Sequence, residues 1–237
     1  MTTAAKSLSL AALLFGAALA HDAPYSLEKF RSALEGAKLQ APVSAFDPRY
    51  SIGYGDFAYR ANRYFYLQDG RYMTFLTCGA KNRSELRRRS EWPVTTTEPK
   101  RVEARLRPIP LDAKREFTFL QIHDSGTEAN KPLLRVVWRK KYRGKKDHLW
   151  AVIRLSDHRY HSEYEKVDLG PAPAGSAMTD LTVEVQKGRM RLWRDGRLLV
   201  DKDVRYWRSL RNYFKAGVYL QDEGCARVLF DKLVFMD

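Results

Sequence analysis

Cysteine is scarce. Only Cys78 and Cys225 occur in 237 residues, with no Cys-x-x-Cys pair and no zinc-finger spacing, which excludes a dithiol redox centre or a zinc ribbon. The two thiols either make one disulfide or lie buried and free. Acidic residues are also in deficit, 28 Asp and Glu against 42 Lys and Arg, a formal net charge of +14. That imbalance says nothing about fold, but it selects an anionic partner: nucleic acid, acidic membrane or acidic polysaccharide. Long apolar runs are missing. The one candidate, Leu8 to Ala20, is shorter than the roughly 20 residues that span a bilayer, so no membrane partner is expected. A Gly-x-Ser-x-Gly elbow, internal repeats and low-complexity tracts are absent as well.

The short apolar run has another reading. Lys6 precedes it and Ala18-Leu19-Ala20 ends it, the pattern of a secretory signal peptide cleaved before His21. The expected location is therefore secreted, extracellular or periplasmic. The leader holds one cation and no anion, so the basic excess belongs to the exported part. Outside the cell an acidic polysaccharide is the expected polyanion, and nucleic acid is not. An oxidising compartment also suits a Cys78–Cys225 bond, which would pin two neighbouring strands of the ligand-binding face. Asn82-Arg83-Ser84 fits the N-glycosylation pattern, and we expect it to be unused or the source to be bacterial.

What is abundant points to strands. Hydrophobic residues make up 44% of the chain and aromatics 12%, enough for a sizeable core. Only Ser26 to Gly36 has helical spacing, with Leu27, Phe30 and Leu34 on one face, Ser26 as cap and Gly36 as stop. Beyond it, Val-, Tyr-, Phe- and Trp-rich segments alternate with Asp69-Gly70, Arg143-Gly144, Lys187-Gly188 and Asp195-Gly196, all hairpin turn pairs. The expected fold is all-β: an antiparallel β-sandwich of jelly-roll type with a short N-terminal helix. It divides into a leader over 1–20, a helical segment over 21–36 and one β domain over 37–237.

Side chains alternate along a strand, so three segments can be assigned faces. In 213–221, Phe214, Ala216, Val218 and Leu220 form an apolar side opposite Tyr213, Lys215, Gly217, Tyr219 and Gln221. Over 117–123, Thr118, Leu120 and Ile122 oppose Gln121 and His123. From 83 to 89, Arg83, Glu85, Arg87 and Arg89 oppose Leu86. The polar sides supply donors and titratable groups suited to an anionic, hydroxyl-rich chain. Gly217 is expected to leave room for a sugar ring.

Arg83-Ser84-Glu85-Leu86-Arg87, Gln121-Ile122-His123 and the run Tyr213 to Gln221 together resemble the three signature motifs of the alginate lyases of polysaccharide lyase family 7. The resemblance covers about 37–237. It departs from the family at Ala37, where a tryptophan is usual, at Arg88, where glutamate is frequent, and in the short connection from Cys78 to Arg83. It implies β-elimination of alginate, an acidic polysaccharide, with no cofactor or metal required; a monomer is expected. By motif, Arg83 and Gln121 would bind the uronate carboxylate, His123 would serve as base or neutraliser, and Tyr219 would protonate the leaving oxygen. Glu85 would hold the arginines, Arg87 would add positive field, and Lys215 and Gln221 would line subsites. Endo action is expected, and isoleucine in Gln-Ile-His leans toward guluronate-containing substrate.

Each feature has a plainer competitor. A lone histidine on a strand is usually structural; only its place in the trio makes His123 a site residue. His158 and His161 lack further metal-ligand spacing, and His21 lacks a partner motif for copper. The basic run Arg139 to Lys146 reads as a solvated hairpin tip. A glycosidase would need a second carboxylate opposite Glu85. The remaining alternatives are a lyase for another polyuronate such as glucuronan, or a non-catalytic carbohydrate-binding module.

Overall fold

The computed structural model describes residues 22–43, 50–126, 131–161 and 163–237. The expected leader and His21 lie outside them. After a 3-10 turn, helix α1 (Glu28–Glu35) leads into β1 (Ala37–Gln40), β2 (Phe65–Gln68), β3 (Tyr72–Cys78), β4 (Arg83–Arg88) and β5 (Trp92–Pro93). Then follow β6 (Lys100–Ile109), β7 (Glu116–Asp124), β8 (Pro132–Tyr142), β9 (Lys145–Arg154) and β10 (Tyr164–Pro171). The chain finishes with β11 (Thr179–Gln186), β12 (Arg189–Arg194), β13 (Arg197–Asp203), β14 (Arg211–Leu220) and β15 (Cys225–Met236).

These strands build two antiparallel sheets. The front sheet runs β1-β4-β14-β7-β8-β9-β10, with β5 attached to β14; the back sheet runs β13-β12-β11-β6-β15-β3-β2. Strands distant in sequence pair repeatedly, as the jelly-roll expectation requires. Phe65, Phe75, Phe117, Phe119, Phe214 and Phe230 are fully buried in the main core, and Phe75 meets Phe230 edge-on at 5.5 Å. Burying each such side chain contributes roughly 1.5–3 kcal/mol. All four predicted turn pairs have positive φ at both residues, the conformation whose twist matches the flanking strands.

Two local expectations fail. Ser26 does not cap the helix: it sits in the 3-10 turn Pro24–Ser26, and the N-cap is Leu27, without a side-chain bond. Thr118 does not share a face with Leu120 and Ile122. The ladders of β7 shift register beside it, between Thr118 and Leu120 against β8 and between Ala216 and Tyr219 against β14. Phe119 and Leu120 consequently both enter the core, and Thr118 meets Gln221. A bulge inserts one residue, and strict alternation cannot continue through it.

The helix packs against β15 through Phe30, Ala33 and Leu34. Arg88 secures it from below, donating to the carbonyls of Ala33 (3.0 Å) and Ser32 (3.3 Å) and pairing with Asp237 at 2.8 Å. A Cβ on Gly36 would stand 2.5 Å from that guanidinium, so glycine here makes room for Arg88 and does not supply a left-handed cap. Arg88 thus serves the helix and the C-terminus, on the side of β4 away from Glu85.

Cys78 and Cys225 are bonded across the β3–β15 ladder, Cα atoms 4.1 Å apart and 147 residues apart in sequence. Both strands belong to the back sheet, so the bond does not pin strands of the polar face as the sequence led us to expect. We predict that replacing both cysteines by serine costs about 2–5 kcal/mol, read as a lower melting temperature. Alkylation without reductant should label neither thiol of the native protein; labelled thiols in the folded chain would refute the bond.

Candidate active site

The front sheet's outer face carries a cleft of about 530 Å³ that reaches from Gln40 on β1 to Tyr164 on β10. The four residues expected to be catalytic, Arg83, Gln121, His123 and Tyr219, all line it, as do Lys215 and Gln221. Register explains the convergence. On β14, Tyr213 pairs with His123 and Lys215 with Gln121 on one flank; Lys215 pairs with Arg87 and Tyr219 with Arg83 on the other. Partners directly opposite in a ladder point to the same side. Three sequence-distant motifs therefore meet because β14 lies between β4 and β7.

Beneath the cleft lies Glu85, with no solvent exposure. Lys215 Nζ donates to its Oε2 at 2.6 Å, Gln121 Nε2 donates to its Oε1, and Arg83 Nη1 stands 3.6 Å from Oε2. Burial pushes the carboxyl up, but Lys215, Arg83 and these hydrogen bonds together hold it below its ordinary value. Burial likewise pulls the Lys215 ammonium down to about 8, against the opposing pull of Glu85. Lys215 is therefore occupied with Glu85 first. Gln121 has a second N–H left for a ligand, and the long Arg83–Glu85 contact leaves guanidinium donors available. Arg83 also lies over the Tyr219 ring, 4.6 Å from its centroid.

His123 is pulled down to about 4, chiefly by burial and then by the nearby Lys215 charge. Its Nδ1 lies 2.7 Å from the Asp124 carbonyl, which can only accept, so Nδ1 carries the proton and Nε2 keeps its lone pair. At neutral pH the ring is an uncharged acceptor. Neutralising a bound carboxylate then falls to Arg83 and Gln121.

Some expected residues take other positions. Arg87 does not line the cleft: its guanidinium covers the Tyr213 ring at 4.0 Å and is bonded to Tyr54 and, at 2.7 Å, to Glu91. Arg89 lies past the end of β4, over Tyr54. Gly217 makes no room for sugar. At φ +143° its missing Cβ would stand 2.2 Å from the Ser84 carbonyl oxygen, so the glycine permits close approach of β14 to β4. The rings of His158 and His161 lie 4.6 Å apart, and among the described residues no group of three or more His, Cys, Asp or Glu gathers as a metal site.

The sequence reading missed Gln40, Arg135, Tyr164 and the full role of Tyr213. Arg135 lies opposite Gln121 in the β7–β8 ladder and bonds Glu116 at 3.1 Å. It also reaches the Gln221 amide oxygen at 3.0 Å when that amide is oriented to suit its neighbours. Its signal was legible, a lone arginine between Leu134 and Val136. Tyr164 lines the cleft and packs, with Tyr142, against a second apolar cluster of Val137, Trp150 and Val152 on the β8–β10 side.

The fold and the cleft define a jelly-roll protein with a cleft lined by hydrogen-bond donors over a buried carboxylate. The alginate lyase family model matches residues 34–236, and the chain belongs to that family. An alginate lyase from Photobacterium sp. (strain ATCC 43367) is 36% identical over 141 residues, 50% of this chain and 49% of that protein; the match spans about half the length of that curated relative. The structure of alginate lyase AlyC3 in complex with dimannuronate superposes with a TM-score of 0.82 at 27% identity, covering 92% of this chain and 95% of that one. Alginate lyase A1-II', a member of polysaccharide lyase family 7, shares the fold at 20% identity and a TM-score of 0.72, over 88% of this chain and 97% of its own.

The electrostatics set a pH window. His123 accepts a proton only while neutral, above about 4, and Lys215 stabilises Glu85 only while charged, below about 8. Activity should therefore be lost as pH falls through about 4 and as it rises through about 8, read as the two limbs of kcat/KM. An acid limb near the ordinary imidazole value, about 6.5, would contradict the buried, neutral His123.

Proposed function

We propose that this protein is a secreted alginate lyase that cleaves its polymer internally by β-elimination, acting as a monomer on an acidic polysaccharide. One observation carries the reading: Arg83, Gln121, His123 and Tyr219 border a single cleft, three of them set over or beside the buried Glu85. The basic charge of +14 favours capture of a polyanion. Export is supported by the leader-like first 20 residues. Internal cleavage fits a cleft whose lining crosses the front sheet from β1 to β10.

The residues suit each step. Arg83 and Gln121 would bind the uronate carboxylate and stabilise the charge that moves onto it when the C5 proton leaves. His123 Nε2 would take that proton. As the C4–C5 double bond forms, the C4–O bond breaks, and the Tyr219 phenol would donate its proton to the departing oxygen. Proton exchange with water then restores His123 and Tyr219. Where the C5 hydrogen lies on the Tyr219 side, the phenol oxygen would instead take that proton as it passes its own to the departing oxygen, and would need no such exchange.

For epimer preference, the resemblance supports guluronate-containing substrate through Ile122, whose side chain lies in the core and would act only through its strand. AlyC3, at 27% identity, was seen with dimannuronate, so both uronates belong in the assay.

The test is ultraviolet detection of unsaturated product from polyguluronate, polymannuronate, glucuronan and pectate. Product from glucuronan alone would move the assignment to another polyuronate; binding without product would make this a carbohydrate-binding module. Tyr219→Phe keeps the ring beneath Arg83 but removes the acid, and should lower kcat by about 10²–10⁴-fold with binding retained. Wild-type turnover by Tyr219→Phe would leave the phenol a mere platform for sugar.

A further inference from the structure

Two aromatic rings and a guanidinium stack across three strands of the front sheet. His123 and Tyr213, opposite each other on β7 and β14, lie nearly parallel, centroids 5.5 Å apart and planes 19° apart. Arg87, on β4, covers the Tyr213 ring at 4.0 Å. Since β4 and β7 flank β14 on opposite sides, the cation and the imidazole reach Tyr213 from opposite flanks. Arg87 is itself fixed, bonded to Glu91 Oε1 at 2.7 Å and to the Tyr54 hydroxyl.

The Asp124 carbonyl alone leaves the imidazole free to rotate about the Nδ1 hydrogen bond. A single hydrogen bond sets direction, not the plane of the ring. A flat neighbour at stacking distance supplies the missing constraint, and a cation on that neighbour holds it in turn.

We propose that Tyr213, clamped by Arg87, is a positioning residue that fixes the plane of His123 and keeps Nε2 turned into the cleft. This rests on the reading of His123 as the base, and it gives Arg87 a different task from a general positive field. Arg87 acts through Tyr213, and its charge does not meet the substrate. The ring presents the flat face to His123, and the phenol oxygen meets the Arg87 guanidinium.

Nitrogen-15 NMR of the five histidines, with His123 assigned through His123→Asn, reads the tautomer without any substrate. The native enzyme should show a neutral ring protonated at Nδ1 alone. Tyr213→Leu, which removes the planar face, should give mixed tautomers and lower kcat about 10–100-fold with KM within about twofold, the pattern of a misplaced catalytic group. Tyr213→Phe keeps the flat face but loses the hydroxyl contact with Arg87, and should keep the tautomer signal with kcat lowered less than in Tyr213→Leu. Arg87→Gln should shift both readouts in the direction of Tyr213→Leu, by about 3–10-fold in kcat, and carries the test if Tyr213→Leu does not fold. An unchanged tautomer signal in Tyr213→Leu, or in Arg87→Gln where only that variant folds, overturns the proposal; so does a raised KM with native kcat, which would make Tyr213 a sugar contact. Absence of lyase activity in the native enzyme would instead sink the functional reading and leave the tautomer measurement to decide the stack.

Discussion

A carboxylate closed off from water must be surrounded by donors or give up its charge, and Glu85 meets that demand with groups from three strands. Lys215 comes from β14, Gln121 from β7 and Arg83 from β4 itself. Removing one partner from a buried pair of this kind typically costs about 3–5 kcal/mol, because the other charge is left uncompensated. The same contacts that keep Glu85 ionised hold the cleft's floor in register. They also turn one of the cleft's cations inward: Lys215 is committed to Glu85, and above it Arg83 and one Gln121 N–H face the cleft. The low proton affinity of His123 follows from this arrangement too, since the ring is buried beside Lys215.

The two sheets divide the remaining work. The back sheet carries the Cys78–Cys225 bond and, through β15, the helix. Arg88 and Asp237 tie that helix to β4 from the core side. The front sheet presents chemistry on one face and packing on the other, with Trp150, Val137 and Val152 closing its β8–β10 side under tyrosines. Changes in the family pattern at Arg88 therefore bear on how the N-terminal helix is held, and leave the cleft's lining untouched.

Much of the fold was legible from turn chemistry and alternation. Glycine follows Asp, Arg or Lys at the four predicted hairpin turns, where both residues have positive φ. The apolar face of Phe214, Ala216, Val218 and Leu220 sent Tyr219 outward, as found. The errors arose where a residue's partner lies far away in sequence. Thr118 changed face because β7 is bulged against both neighbours. Gly217 read as space for a sugar, whereas its space is taken by the backbone of β4.

By itself the sequence determined the strand-rich architecture, the hairpins, the basic charge and the polar side of each motif strand. Those depend on local conformational preference and on a period of two, which neighbouring residues suffice to specify. Which strands lie side by side was decided only in the tertiary structure. Register then made Glu85 a buried hub, turned Arg87 onto Tyr213 and away from the cleft, brought Arg135 opposite Gln121 and placed the disulfide in the back sheet. Burial and proton affinity depend on what surrounds a group, and for Glu85, His123 and Lys215 those surroundings come from strands distant in the chain.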